Sequence, residues 1–214
     1  MGKAAAAMIV LASLLYGLAA PSPARASQFE QFFASIFLDK KKIGQVHLRL
    51  TRGDTGEIEE LRARASVAML GIKLYEFTQD LSQTWEDGEL QKMSGNADDN
   101  GKKYDVAADR EPDKYRGTVN GKAVTLPIEA FPNTLWHYGI TDHNLLFKET
   151  DLELLHVKVV RAEETVSLHG KKVAATRATI SGGFDAVVWF DEAKNFLKGE
   201  YEMDGRKIRV ERDE

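Results

Sequence analysis

Two histidines and an aspartate lie close together in one irregular segment of the sequence, and these residue types can bind a metal ion. His137 and His143 flank Asp142, and imidazole nitrogens combined with a carboxylate are common ligands of zinc and copper. Their spacing matches no established metal-binding pattern, and surface histidines explain it equally well. A metal-dependent enzyme that uses residues 136–143 is therefore the least favoured function, and the sequence predicts neither a catalytic residue nor a cofactor.

Two other segments match known site motifs only in part. Residues 96–101 supply the first oxygen ligands and the glycine of a calcium loop, but Ala107 stands where that loop requires a glutamate. Residues 54–56 spell the Asp-Thr-Gly of aspartic proteases, which need two such carboxylates, and the chain has one copy. Both segments are therefore interpreted as turns between strands.

The aromatic side chains favour a binding function over catalysis. A closed or strongly curved sheet with an aromatic interior can hold one small apolar ligand, and a loop at its mouth can cover that ligand. The alternative is that the aromatic residues only fill a solid core. The sequence predicts a ligand site that consists of Tyr75, Phe77, Trp85, Trp136, Tyr138, Trp189 and Tyr201.

Strands are the elements that would position these side chains. Apolar and polar residues alternate along most of the sequence, most clearly over residues 61–69, and this period of two is typical of half-buried strands. Asx-Gly pairs at 87–88, 100–101 and 120–121 indicate two-residue hairpin turns. The sequence predicts an all-β fold, a single antiparallel meander of about eleven strands that forms a barrel or a strongly curved half-barrel.

One segment interrupts this alternation. Residues 127–150 contain two prolines and a Trp-His-Tyr cluster, and they show no period of two. The sequence predicts an irregular insert there, with a short helix near residues 133–138 that Asn133 would cap. In the binding hypothesis this insert is the lid or plug of the interior.

The first 26 residues have the pattern of a cleavable signal peptide. Lys3 precedes an uncharged, mostly apolar run over residues 4–20, and the small-x-small triplet of residues 24–26 follows two prolines. Cleavage after Ala26 would leave one domain, residues 27–214, without an integral membrane span. We therefore expect the mature protein to be periplasmic or secreted.

Cysteine content and charge narrow the possible partners. The chain has no cysteine, so it can form no disulfide and cannot be lipidated as a bacterial lipoprotein. Its formal charge of −4 becomes more negative when Lys3 and Arg25 are removed with the signal peptide. A net acidic chain argues against binding to nucleic acid and against electrostatic docking on anionic lipid.

Several strand-and-turn segments also resemble those of one known family. They are residues 69–75, 85–90, 99–102, 184–191 and 204–206. On these segments the chain resembles a family of exported proteobacterial proteins described only as a domain of unknown function, over nearly all of 33–212. It is more distantly similar to periplasmic half-barrels that wrap a sheet around a lipid or a helix. The resemblance implies a β-rich exported fold and implies no catalytic residue.

Two functional hypotheses follow. The favoured one is an exported, non-catalytic binding protein that carries a lipid, another apolar ligand or an apolar partner segment inside the sheet. The alternative is a structural or interaction module of the cell envelope with a solid core, which would bind an envelope protein through its surface or an exposed strand edge.

Overall fold

Alternating side chains produce a chain made almost entirely of strands. The computed structural model describes residues 28–53, 56–203 and 205–213, and the predicted signal peptide lies outside the described residues. The strands are Gln28–Leu38 (β1), Lys41–Arg52 (β2), Glu57–Met69 (β3), Ile72–Glu86 (β4), Glu89–Asp99 (β5), Lys102–Arg110 (β6), Lys114–Val119 (β7), Lys122–Pro127 (β8), Phe131–Pro132 (β9), Leu145–Phe147 (β10), Leu154–Leu168 (β11), Lys171–Gly182 (β12), Ala186–Phe190 (β13), Phe196–Met203 (β14) and Arg206–Arg212 (β15).

All fifteen strands belong to one sheet. Its order is β8-β7-β6-β5-β4-β3-β2-β1-β15-β14-β13-β12-β11-β10-β9, so the first and last strands of the chain pair with each other. The two edge strands, β8 and β9, follow one another in sequence, but no ladder joins them among the described residues. The sheet is therefore open.

The prediction of an all-β fold is confirmed, but two details of it are wrong. The sheet has fifteen strands, not about eleven, and β9 pairs with β10 in parallel, so the meander is not wholly antiparallel. Both short strands lie in the segment without alternation, and strands of two or three residues are too short to show a period of two. The prediction named a barrel or a half-barrel, and the open sheet excludes the closed barrel.

The predicted Asx-Gly turns have the backbone that such turns require. Asp87, Asn100 and Asn120 all have φ near +50°, and the glycine after each of them also has a positive φ. Two consecutive positive φ values define the type I′ turn, whose twist matches that of the flanking strands. The calcium-like segment is accordingly a hairpin turn, and the Asp98 carboxylate accepts a hydrogen bond of 2.7 Å from the Gly101 N–H.

The insert lies against the inner face of the sheet. Its one helical turn is a 3-10 helix at Tyr138–Asp142, later than predicted, and His137 rather than Asn133 caps it. Thr134 of the insert hydrogen-bonds Gln83 of β4, and Tyr138 contacts Phe190 of β13 edge-on at 5.2 Å. Since β4 and β13 are distant in the strand order, the sheet must curl around the insert.

Apolar side chains from both halves of the sheet and from the insert form one main core. A smaller cluster of Val166, Ala175, Trp189 and Leu197 lies apart from it. Within the described part of the chain, no helix combines the length and the apolar character needed to cross a bilayer.

Candidate functional site

An apolar cavity of about 360 Å³ lies between the inner face of the sheet and the insert. Side chains from β1 to β4, from β14 and β15, and from the insert form its wall. Four of the predicted ligand residues line it, namely Tyr75, Phe77, Trp136 and Tyr201. The small side chains of Ala63 and Ala65 leave this space open on β3.

The cavity continues towards one end of the sheet. Ile43, Tyr75 and Ile208 border both this cavity and an adjacent groove of about 420 Å³. Leu38, Val67 and Leu74 complete the apolar part of the groove. Asn100 and Arg206 also line the groove, so its wall is partly polar.

A second, smaller cavity of about 190 Å³ lies on the other side of Trp136, which contributes to the walls of both cavities. Its lining is more polar and includes Glu57, Glu59 and Tyr138. Arg52 forms ion pairs with Glu30 at 2.9 Å and with Glu57, and Arg212 lies 3.9 Å from Glu30, so two cations compensate these two carboxylates. Glu59 belongs to no ion pair among the described residues.

Glu59 is an unusual residue for this interior. It is 4% exposed, and its Oε2 has no hydrogen-bond partner among the described residues. Burial, reinforced by the charges of Glu57 and Glu149, raises the pKa of Glu59 to about 8, although the nearby indoles of Trp85 and Trp136 act to lower it. Neither indole N–H reaches hydrogen-bonding geometry with a described residue. The carboxyl is therefore mainly protonated at pH 7.

A second buried carboxyl, Glu149, is well satisfied by hydrogen bonds. It accepts one from Gln83 Nε2 at 3.0 Å and another from the Thr134 hydroxyl, and Gln83 also donates to Thr134 at 3.1 Å. Burial raises the pKa of Glu149 to about 7, because it outweighs these hydrogen bonds. Gln83 is the cross-strand neighbour of Glu59, so one polar row joins the two carboxyls across an apolar interior.

Trp85 and His137 pack against each other in the core. Their rings stack at 4.1 Å between centroids, and Trp85 is 2% exposed. Burial, together with the charge of His143, lowers the pKa of His137 to about 4, so its imidazole is neutral at pH 7. Its Nδ1 accepts a hydrogen bond from the Gly139 N–H at 3.1 Å, which places the ring proton on Nε2.

The structure does not assemble the metal candidates into one site. Asp142 points to solvent and pairs with Arg161 at 2.6 Å. His143 stacks on Phe131 at 4.5 Å. Among the described residues, no three His, Asp or Glu side chains are grouped so that they could hold a metal ion.

Trp189 lies away from both cavities. Its neighbours Val188 and Phe190 point into the main core, so Trp189 points to the other face of β13. There its Nε1 donates to Glu164 at 2.5 Å, and the Lys198 ammonium lies 4.2 Å from its ring centroid. The structure therefore does not place Trp189 with the other predicted ligand residues.

Sequence reasoning missed the buried polar row of Glu59, Gln83, Thr134 and Glu149. Two of the four had a visible signal, because Glu59 is in phase with Leu61 and Ala63, and Gln83 is in phase with Leu81 and Trp85. A polar residue in the apolar phase of a strand indicates a buried polar group. Thr134 and Glu149 lie in the insert, where no period could reveal which side chains point inward.

Comparisons with known proteins agree with this fold and add no activity. The family model for a domain of unknown function, DUF6134, matches residues 35–213. No curated protein matches the chain. The chain is similar to a solved β-barrel-like protein of the domain of unknown function DUF1849 from Brucella abortus. The identity is 11% and the TM-score 0.62, with 89% of this chain and 98% of that chain covered. The predicted resemblance to an uncharacterised β-rich proteobacterial family is confirmed.

Proposed function

The chain belongs to the DUF6134 family, whose description states no activity, and we propose from its cavity that it binds an apolar molecule such as a lipid. The observation that carries this proposal is the apolar cavity of about 360 Å³, which adjoins a groove at one end of the sheet. Cavities of this size that are lined by apolar and aromatic side chains with a few polar groups are typical of small-molecule sites.

The arrangement suits binding rather than turnover. Both buried carboxyls have raised pKa values, and the hydroxyl that contacts Glu149, that of Thr134, is fully buried. The Glu149 carboxyl contributes to the wall of the apolar cavity, and in its protonated form it can donate a hydrogen bond to a polar group of the ligand. The proposed ligand is therefore apolar over most of its length, with at most a small polar end.

A neutral fluorescent probe, N-phenyl-1-naphthylamine, tests the proposal. Replacing Ala65→Phe fills space in the cavity wall, and we expect it to raise the Kd of the probe by at least about tenfold, which corresponds to about 1.4 kcal/mol. Ala162→Phe, at an exposed position of β11, is the matched control and leaves the Kd unchanged. Equal probe binding by the wild type and both variants would contradict an interior site.

We also propose that the protein acts outside the cytoplasm, in the periplasm or the medium. Residues 1–26 support this proposal, since they have the three parts of a signal peptide. Fractionation of cells that express the full chain tests it, because an exported product is released with the periplasmic contents or collected from the medium.

A second candidate is an envelope interaction module, and the open sheet favours it. Strand β8 has a single neighbour in the sheet order and begins with two exposed residues, and an exposed strand edge can pair with an extended segment of a partner. A pull-down from the envelope fraction tests this candidate. If the pull-down retains no protein and the probe binds, the interaction candidate is refuted and ligand binding is the function that remains.

A further inference from the structure

The β3–β4 hairpin projects beyond the rest of the sheet. Strand β2 pairs with β3 only as far as Ala65, and β5 pairs with β4 only as far as Phe77. No other described strand therefore flanks residues 66–76, and within this segment the two arms pair with each other from Ser66–Glu76 to Met69–Ile72. The neighbouring turns at 39–40 and 100–101 lie at the same end of the sheet, further back than the hairpin tip.

The tip of this hairpin exposes apolar side chains. Leu70 is 95% exposed, Ile72 is 66% exposed and Leu74 is 50% exposed. They are three of the seven large apolar residues that the described chain exposes, and the other four are scattered over β1, β3 and β11. Three such residues on one projecting tip form an apolar patch of the kind that marks an interaction site.

The turn at this tip also departs from the other hairpin turns. Leu70 has φ +52°, in the left-handed region that disfavours a branched apolar side chain. The equivalent positions of three other hairpins hold Asp87, Asn100 and Asn120, which tolerate this backbone well. Leucine is therefore a poor choice for the turn itself, and its presence needs a reason outside the fold.

Positive charge surrounds the tip, although the protein as a whole is acidic. The turn segments 39–42 and 98–103, together with 70–76 of the tip, contain six lysines and four acidic residues. Lys40, Lys41 and Lys42 are exposed and form no ion pair with another described residue. Asp98 and Asp99 lie directly across from Lys103 and Lys102, and Glu76 pairs with Lys73 at 2.7 Å. The excess positive charge is therefore that of Lys40, Lys41 and Lys42.

We propose that this hairpin docks the protein on an anionic lipid bilayer. Leu70, Ile72 and Leu74 insert among the acyl chains, and the lysines of the adjacent turns contact the anionic head groups. The net acidic charge does not oppose this, because screening limits each charge to about 8–10 Å at physiological salt. The apolar groove at the hairpin base, which Val67, Leu74 and Tyr75 line, would then open next to the membrane.

Docking goes beyond the proposed ligand function and can be tested without it, because vesicle binding is measured with no ligand added. Residues 27–214 are used, since 28–212 contain every strand of the sheet and the apolar run at 4–20 would itself bind vesicles. Flotation is compared on vesicles of phosphatidylcholine alone and of phosphatidylcholine mixed with phosphatidylglycerol. We expect wild-type protein to bind the mixed vesicles at least about tenfold more strongly.

Two sets of variants separate docking from folding. The triple variant Leu70→Ser, Ile72→Ser, Leu74→Ser should lower the partition coefficient on the order of 100-fold. Its matched control, Ile58→Ser with Val160→Ser, removes exposed apolar residues away from the tip (44% and 53% exposed) and should have no effect. Leu70→Asn alone should weaken vesicle binding while the thermal stability stays equal or rises, because asparagine suits a positive φ.

Three results would overturn the proposal. They are no flotation of the wild type with the mixed vesicles, equal flotation of the wild type and the triple variant, and a wild-type dimer by light scattering that the triple variant converts to a monomer. The last result would identify the tip as an interface between copies of the chain. If Ala65→Phe loses probe binding but still floats with the mixed vesicles, the substitution affects the cavity alone and docking stands independently of it.

Discussion

Replacing the buried Glu59 by its neutral isostere should remove a large part of the pH dependence of stability. Burial raises the pKa of Glu59 from 4.5 to about 8. Between those two pH values the folded chain holds one more proton at this position than the unfolded chain does. Each unit of rising pH therefore lowers the free energy of unfolding by about 1.4 kcal/mol. The penalty is absent below pH 4.5, where both states are protonated, and is complete above pH 8.

The window from pH 5 to pH 7 gives the cleanest comparison. Over these two pH units Glu59 should cost the wild type about 3 kcal/mol of stability that the Glu59→Gln variant does not lose. For a chain of this length, 3 kcal/mol corresponds to a change of about 6–12 °C in the Tm difference between the two proteins from pH 5 to pH 7. Glu149 contributes in the same direction to both proteins, because burial also raises its pKa.

Urea unfolding of the wild type and Glu59→Gln at several pH values measures this difference directly. Glu60→Gln is the matched control, because the adjacent Glu60 is half exposed on the other face of β3 and pairs with Arg49 at 3.5 Å. That exposed pair should contribute well under 1 kcal/mol. Parallel pH profiles for the wild type and Glu59→Gln would refute the assignment of Glu59 as a protonated, buried carboxyl.

Three further predictions concern the polar row, the sheet and the export signal. Thr134→Val keeps the shape of the side chain but removes a hydrogen bond to Glu149, so urea unfolding should show a loss of about 1–3 kcal/mol. Gly44→Ala would place a Cβ atom 2.1 Å from the Arg64 carbonyl oxygen on β3, so it should lower the free energy of unfolding by about 3 kcal/mol or abolish folding. N-terminal sequencing should show that the exported product begins at Ser27. An exported product that retains residues 1–26 would contradict the predicted cleavage.

The strands and turns of this fold could be predicted from sequence because their signals are local. Asn120-Gly121, for example, forms the predicted type I′ turn, since both residues accept a positive φ. Strands β9 and β10 could not be predicted, because a pairing of two or three residues depends on contacts with distant parts of the chain. The same holds for the closure of the sheet, which depends on long-range geometry.

The candidate site was only partly predictable, and particular residues explain why. Strand β13 reads Ala-Val-Val-Trp-Phe, a continuous apolar run, so its phase does not show that Trp189 points away from the core. Glu59 had the opposite problem, because its inward phase was visible but a carboxylate near a strand end is usually solvated. The side chain of Glu149 was beyond prediction, since it is placed by contacts of the insert.

We propose above all that an apolar molecule occupies the interior cavity. Native mass spectrometry of the protein, isolated without detergent from the cells that express it, tests this occupancy most directly. We predict a bound species of lipid mass at about one per chain, which is released on unfolding and lost in Ala65→Phe but kept in Ala162→Phe. Protein that carries no such species, and that takes up none from added lipid, would contradict the claim.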